Sequence, residues 1–179
     1  MKKKIFIWIC FFCCLLLFIM GCDNRTESEK LARRAMHKTA VILEKRHQMK
    51  FIGWSEGGDE HYYNNVGLNF QVFRVLSKEE GRIMLIDGVE ELVKEFNATP
   101  ELQPFLNPAP FMPSNVKMHI YDYQPDGGKL YYPNIVVFSA YDGKVQYSTK
   151  IPEKEFGYYT QDEETYEEAL NIVRSQKSP

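Results

Sequence analysis

The chain has 179 residues, with 22 Lys+Arg against 24 Asp+Glu and a formal net charge of -2. That balance lacks the basic excess on which nucleic-acid binding draws, so no nucleic-acid partner is expected. The length suits one domain able to bury its own core, and the four cysteines are crowded into the first 22 residues, too close together to staple a fold.

The first element is defined by its chemistry. Lys2, Lys3 and Lys4 open the chain, Ile5 to Met20 is unbroken apolar sequence, and Gly21-Cys22 closes it before a polar stretch, DNRTESEK. A basic start, an apolar stretch and a small residue at the cut are the parts of a secretory signal. The basic end stays in the cytoplasm, so the rest of the chain is delivered across the membrane. The apolar run is shorter than the roughly 20 residues that span a bilayer.

The closing residues, Ile19-Met20-Gly21-Cys22, resemble the lipobox of bacterial lipoproteins: an aliphatic residue, a tolerant position and a small residue before a cysteine. The resemblance covers residues 1–22. It implies cleavage between Gly21 and Cys22 and a lipid on the Cys22 thiol, with palmitate-type acyl chains holding the protein on the outer, non-cytoplasmic side of a bacterial membrane. The expected organisation is a signal peptide over 1–21, a lipidated tether over 22–27 and one globular domain over 28–179. Cys10, Cys13 and Cys14 leave with the signal, and the lipid consumes the thiol of Cys22. The mature chain then has no disulfide, no cysteine-based zinc site and no cysteine nucleophile. Losing Lys2, Lys3 and Lys4 leaves 19 basic against 24 acidic residues, a net charge of -5.

Downstream, Thr26-Glu27-Ser28-Glu29, Ser77-Lys78-Glu79-Glu80 and Thr160-Gln161-Asp162-Glu163 each fit the capping box that opens a helix. The first helix is expected to run to about Lys50 with Leu31, Ala35, Ile42 and Met49 inward. The second runs from Lys78 to about Asn97 on Leu85, Ile86, Val89, Leu92, Val93 and Phe96. The third buries Tyr166, Ala169, Leu170 and Val173. Gly81 and Gly88 each weaken the second helix by up to about 1 kcal/mol, so packing must hold it. Thr99-Pro100 suits a short extra helix, because proline fits a first helical position.

Between the helices, Phe51 to Ser55 and Val66 to Leu76 read as strands around the polar loop SEGGDEHYYNN. Val116 to Tyr123 alternates, with Val116, Met118 and Ile120 on one face and His119 on the other. Ile135 to Ala140 and Val145 to Lys150 flank Asp142-Gly143, a preferred hairpin turn. That register places Ala140 opposite Val145 and Phe138 opposite Tyr147. The fold class is therefore α+β, one domain with an antiparallel sheet of about five strands and three main helices, in the order α-β-β-α-(α)-β-β-β-α.

Several motifs invite chemistry. Gly57-Gly58-Asp59-Glu60-His61 resembles the GGDEF signature of diguanylate cyclases. His61 stands where that signature has phenylalanine, and the rest of that family's metal and nucleotide segments has no counterpart, so the string reads as a polar turn. His61 with Asp59, Glu60 and His119 lacks any metal-ligand spacing. No nucleophile motif or phosphate loop appears, so neither an enzyme nor a metal or cofactor is expected. Lys30, Arg33, Arg34, His37 and Lys38 fall on one helix face near Cys22, a stripe suited to anionic head groups. The adjacent tyrosines Tyr62-Tyr63 and Tyr131-Tyr132, like Tyr158-Tyr159, should split between two faces and leave one member of each pair exposed for binding.

The expected function is a membrane-anchored cell-envelope lipoprotein whose domain is a non-catalytic interaction or accessory module. It would meet an envelope protein through a sheet face or the Pro104 to Pro113 segment. One alternative is a small-ligand or glycan-binding lipoprotein with a Tyr-rich site. A second is an envelope hydrolase whose carboxylates come together only in space.

Overall fold

A computed structural model of the chain describes residues 25–59, 61–154 and 156–177. The expected signal peptide and the expected lipidation and cleavage positions, Gly21 and Cys22, lie outside the described residues.

The described chain forms an α+β domain of six strands and three main helices. In chain order these are α1 (Glu27–His47), β1 (Lys50–Gly58), β2 (Tyr63–Val72), α2 (Lys78–Asn97), two 3-10 turns (Pro100–Phe105 and Pro113–Asn115), β3 (Val116–Asp122), β4 (Val137–Tyr141), β5 (Lys144–Thr149), β6 (Tyr159–Thr165) and α3 (Tyr166–Lys177). The strands lie side by side in sequence order. The sheet is mixed rather than wholly antiparallel, because β2 and β3 run parallel while every other neighbouring pair is antiparallel. A parallel pair needs a long return path, and the connection carrying α2 and both 3-10 turns supplies it.

The first two capping boxes form as read: Thr26 caps α1 with Glu29, and Ser77 caps α2 with Glu80. The helix starts at Glu27, one residue before the expected start of the globular domain. The buried face of α1 is Ala32, Ala35, Met36, Thr39, Ala40 and Leu43, rotated from the predicted one, with Leu31 and Ile42 at its margins. Small residues on that face let the helix lie close to its neighbours, which larger side chains would prevent. In α2 the two glycines serve the same end. A Cβ on Gly81 would fall 2.1 Å from the Phe138 ring, and one on Gly88 would fall 2.2 Å from the Met118 sulfur. Their low helix propensity is thus offset by closer contact with the sheet.

The third predicted start is corrected. Thr160 to Thr165 is an edge strand, and α3 begins at Tyr166 behind a capping box made by Thr165 and Glu168. The acidic run Asp162-Glu163-Glu164 belongs to a strand because its side chains alternate and each meets a cation. Asp162 pairs with Lys78, Glu164 with Arg82 at 2.7 Å, and Glu163 with Lys144 at 2.8 Å on the opposite face. Lys78 and Arg82 stand four residues apart on α2, one helical turn that matches the two-residue step along β6.

The helices contribute to a core on one face of the sheet with Val66, Leu68, Phe70, Met118, Ile120, Phe138 and Tyr147. The hairpin register is as read, Ala140 opposite Val145 and Phe138 opposite Tyr147. The other face is polar through its middle. There Gly67, Asn69, His119, Ser139 and Gln146 run across the central strands.

Candidate functional site

Because β2 and β3 are parallel, the sheet has two distinguishable ends. The end at their amino termini, called proximal here, receives the chain from Thr26. The start of α1 lies against the β1–β2 turn in a cleft of about 190 Å³ lined by residues of both, among them Ser28, Glu29, Asp59 and Tyr63. Asp59 organises the turn by accepting from the His61 and Tyr62 backbone N–H groups, and those bonds hold its carboxyl below the usual range. Tyr63 is half-buried, and burial pushes its hydroxyl up to about 12. Tyr62 is 45% exposed.

The segment from Pro104 to Pro113 closes this end. Its Asn107 N–H donates to the Tyr63 carbonyl at 2.9 Å. Leu106 and Phe111 enter the main core, and Phe111 stacks on Phe96 with centroids 5.6 Å apart. Asn97 clasps Phe111 twice, accepting from its N–H and donating to its carbonyl, both at 2.8 Å. The segment expected to bind a partner is thus fastened to its own domain, with Pro108, Pro110 and Met112 left on the outside.

The basic stripe of α1 is largely spoken for. Lys30 pairs with Glu27, Arg33 reaches Glu56 on β1 and lies over the Trp54 ring, and Lys38 pairs with Glu95 on α2. Arg34 and His37 face solvent. The stripe's two margins therefore fold down onto neighbouring elements rather than facing outward together.

At the distal end, the carboxyl termini of β2 and β3, the arrangement differs. Loops 129–136 and 150–158 are joined through Tyr132 N–H to the Lys150 carbonyl at 2.8 Å and the Thr149 hydroxyl to the Asn134 carbonyl at 2.8 Å. Beneath them lies a small apolar cluster of Leu130, Val136 and Val137 against Tyr121. Above it the aromatic side chains stay outside: Phe73 stacks on Tyr123 at 5.8 Å, Lys150 lies over Tyr158, and Tyr132 and Phe156 are 64% and 94% exposed. Val75 is exposed beside them in sequence. Two recesses lie in this surface: one of about 70 Å³ between Tyr121, Tyr123, Lys150 and Tyr158, and a wider one of about 440 Å³ between Gln48, Lys50, Gln71, Phe73 and Arg74.

Asp122 ends β3 here. Its buried carboxylate accepts from the Leu76 N–H at 2.8 Å, which fixes the turn into α2. Burial pushes it up to about 6, against the opposing effect of those backbone hydrogen bonds.

The four predicted binding tyrosines are not brought together. Tyr62 and Tyr63 lie at the proximal end, Tyr131 and Tyr132 at the distal end. Each pair splits as read, one member exposed and one half-buried. Sequence reasoning missed Phe73 and Val75, which it placed inside a strand running to Leu76 whereas β2 ends at Val72, and Phe156, whose only signal was a large apolar side chain in a loop. His119 donates to or accepts from Ser139 at 2.9 Å, and burial lowers its pKa, which keeps it neutral at neutral pH. Among the described residues no three His, Cys, Asp or Glu side chains are grouped to hold a metal, and no helix is long and apolar enough to cross a membrane.

Comparison with protein-family models, with curated proteins and with solved structures returned no match. The functional reading rests on the chain's own residues.

Proposed function

We propose that this protein is a lipid-anchored accessory module of a bacterial cell envelope, held through Cys22 and presenting the distal end of its sheet to a protein partner. The observation that carries the second half is the gathering of Phe73, Val75, Tyr132, Phe156 and Tyr158, all exposed, around one end of the sheet. Apolar groups grouped on one surface mark interaction sites, and aromatic residues are enriched where proteins meet. The recess beside Tyr158, about 70 Å³, is far below the roughly 300 Å³ of a small-molecule pocket, and the wider one beside Phe73, about 440 Å³, is lined mainly by the polar and charged Gln48, Lys50, Gln71 and Arg74 rather than by the apolar walls of such a pocket. That favours a protein surface over an enclosed ligand. The first half is supported by the residues that close the export signal, Ile19-Met20-Gly21-Cys22.

Two measurements test it. Mass spectrometry of the mature protein should find Cys22 as the first residue, carrying lipid, and Cys22→Ala should lose membrane association; an intact, uncleaved N-terminus would sink the anchor. Purification from solubilised membranes should recover a stoichiometric partner with the natural sequence and lose it with Tyr132→Ser, Phe156→Ser and Tyr158→Ser combined. Undiminished recovery by that variant would remove the distal end from the account.

A further inference from the structure

A lipid on Cys22 says how the protein is held but not how it stands. Four residues, Asp23 to Thr26, separate that cysteine from the first turn of α1. Fully extended they reach about 14 Å, so the end of the domain that carries the start of α1 must stay near the membrane surface. That end is also where the β1–β2 turn and the 106–112 loop project. The start of α1 shares a cleft with the turn, and the turn is joined to the loop: Asn107 donates to the Tyr63 carbonyl, Asn115 donates to the Asn64 carbonyl at 3.0 Å, and Met112 N–H donates to Asn115 at 2.9 Å.

The chemistry of this end suits an interface. Tyr62 is exposed at the tip of the turn, and Met112, 55% exposed, follows the outward prolines Pro108 and Pro110. Four described carboxylates of this end are engaged within the domain. Glu27 pairs with Lys30, Glu29 closes the capping box with Thr26, Glu56 pairs with Arg33, and Asp59 accepts two backbone N–H groups. Among the described residues that face outward here are Tyr62, Met112, Pro108 and Pro110, with the polar His61 and Asn107 between them. Tyrosine is a residue that settles at the head-group level of bilayers, with its ring toward the chains and its hydroxyl in water.

We infer that the proximal end is a second membrane contact, with Tyr62 and Met112 resting in the head-group region beneath the domain. This rests on the anchor at Cys22 proposed above. It fixes an orientation: the sheet stands on the bilayer by the amino ends of β2 and β3 and lifts the distal aromatic surface away from it. The occupant is the lipid surface itself, because the tether is too short to leave room for another protein between this end and the bilayer.

The test uses the acylated protein, purified from membranes and reconstituted into phosphatidylcholine–phosphatidylglycerol vesicles. Lipid occupies the mature chain's own cysteine, so Tyr62→Cys, Met112→Cys, Tyr132→Cys and Phe156→Cys each introduce one labelling site for an environment-sensitive fluorophore. Probes at 62 and 112 should shift to the blue and be quenched by head-group nitroxide lipids, while probes at 132 and 156 should show neither effect. A protein that floats with the vesicles but shows no quenching at 62 or 112 overturns the contact and leaves the anchor standing. A protein that does not float with the vesicles overturns the anchor, and the contact with it.

Discussion

At the proximal end a neutral amide, Asn97, holds Phe111 by two hydrogen bonds while the ring stacks into the core. At the distal end a carboxylate, Asp122, holds the Leu76 N–H, and the neighbouring aromatics remain outside. Both ends must close loops over the same sheet. The proximal loop does so by giving its large side chains to the common core. The distal loops close over a cluster of three small-to-medium aliphatics and leave their aromatics to solvent. Leaving phenylalanine and tyrosine exposed forgoes the roughly 1.5–3 kcal/mol that burial of each such side chain provides. An end closed in that way is one whose apolar surface is free for something else.

That contrast can be broken or sharpened by substitution. The largest effect belongs to Phe111→Ala, which removes a buried, stacked ring and should cost about 3–5 kcal/mol in urea unfolding. A loss below about 1 kcal/mol would mean that the proximal loop is not fastened as described.

Next comes pH. The Asp122 carboxyl is raised in the folded state to about 6 from an unfolded value near 3.8. The folded state therefore holds its proton more tightly, and stability is greatest with respect to this group below about pH 4. It declines as pH rises through 6, by up to about 3 kcal/mol for a shift of this size. Asp87 works in the opposite sense. Burial raises it, but hydrogen bonds from His47 and Arg46 outweigh that and hold it at about 2, so its contribution is lost as pH falls below 4. His119, lowered by burial, acts in the same sense as Asp87, so the contribution of Asp122 is read as a difference. Between pH 4 and 7 the urea midpoint of the natural protein should fall relative to that of Asp122→Asn, where an amide can still accept from Leu76. Parallel profiles would show that Asp122 is not the group responsible.

A smaller change is expected from Asn97→Ala. Both polar groups of Phe111 lose their partner, at a cost of about 2 kcal/mol, and this cost should not vary between pH 4 and 7. Smallest is Phe156→Ala. With the side chain 94% exposed, its unfolding free energy should stay within about 0.5 kcal/mol of the parent, while partner recovery falls. A large stability loss there would mean the ring has a structural place that the exposed conformation does not explain.

The fold was legible wherever a local rule acts on neighbouring residues. Two capping boxes, the Asp142-Gly143 turn, the register of Phe138 with Tyr147 and the buried side of α3 could all be read from the chain. What could not be read depends on partners distant in sequence. Thr160 to Thr165 looks like a helix start because its cations, Lys78, Arg82 and Lys144, are supplied by other elements. The parallel pairing of β2 with β3 is set by the path of a long connection, not by either strand. The side of α1 that is buried follows from close packing against its neighbours, which its alanines permit, whereas the sequence drew attention to Leu31 and Ile42. The tyrosines were visible as candidates, yet their division between the two ends, and the company of Phe73, Val75 and Phe156, appear only once the loops are placed.

The central claim is that the distal end, and not the proximal one, meets a protein. It is tested most directly by placing a photoactivatable amino acid at Phe156 or at Tyr62 in the full chain and irradiating intact cells. The account predicts a discrete protein adduct from position 156 and none from position 62. A protein adduct from 62 with none from 156, the chain being membrane-bound in both cases, would contradict it.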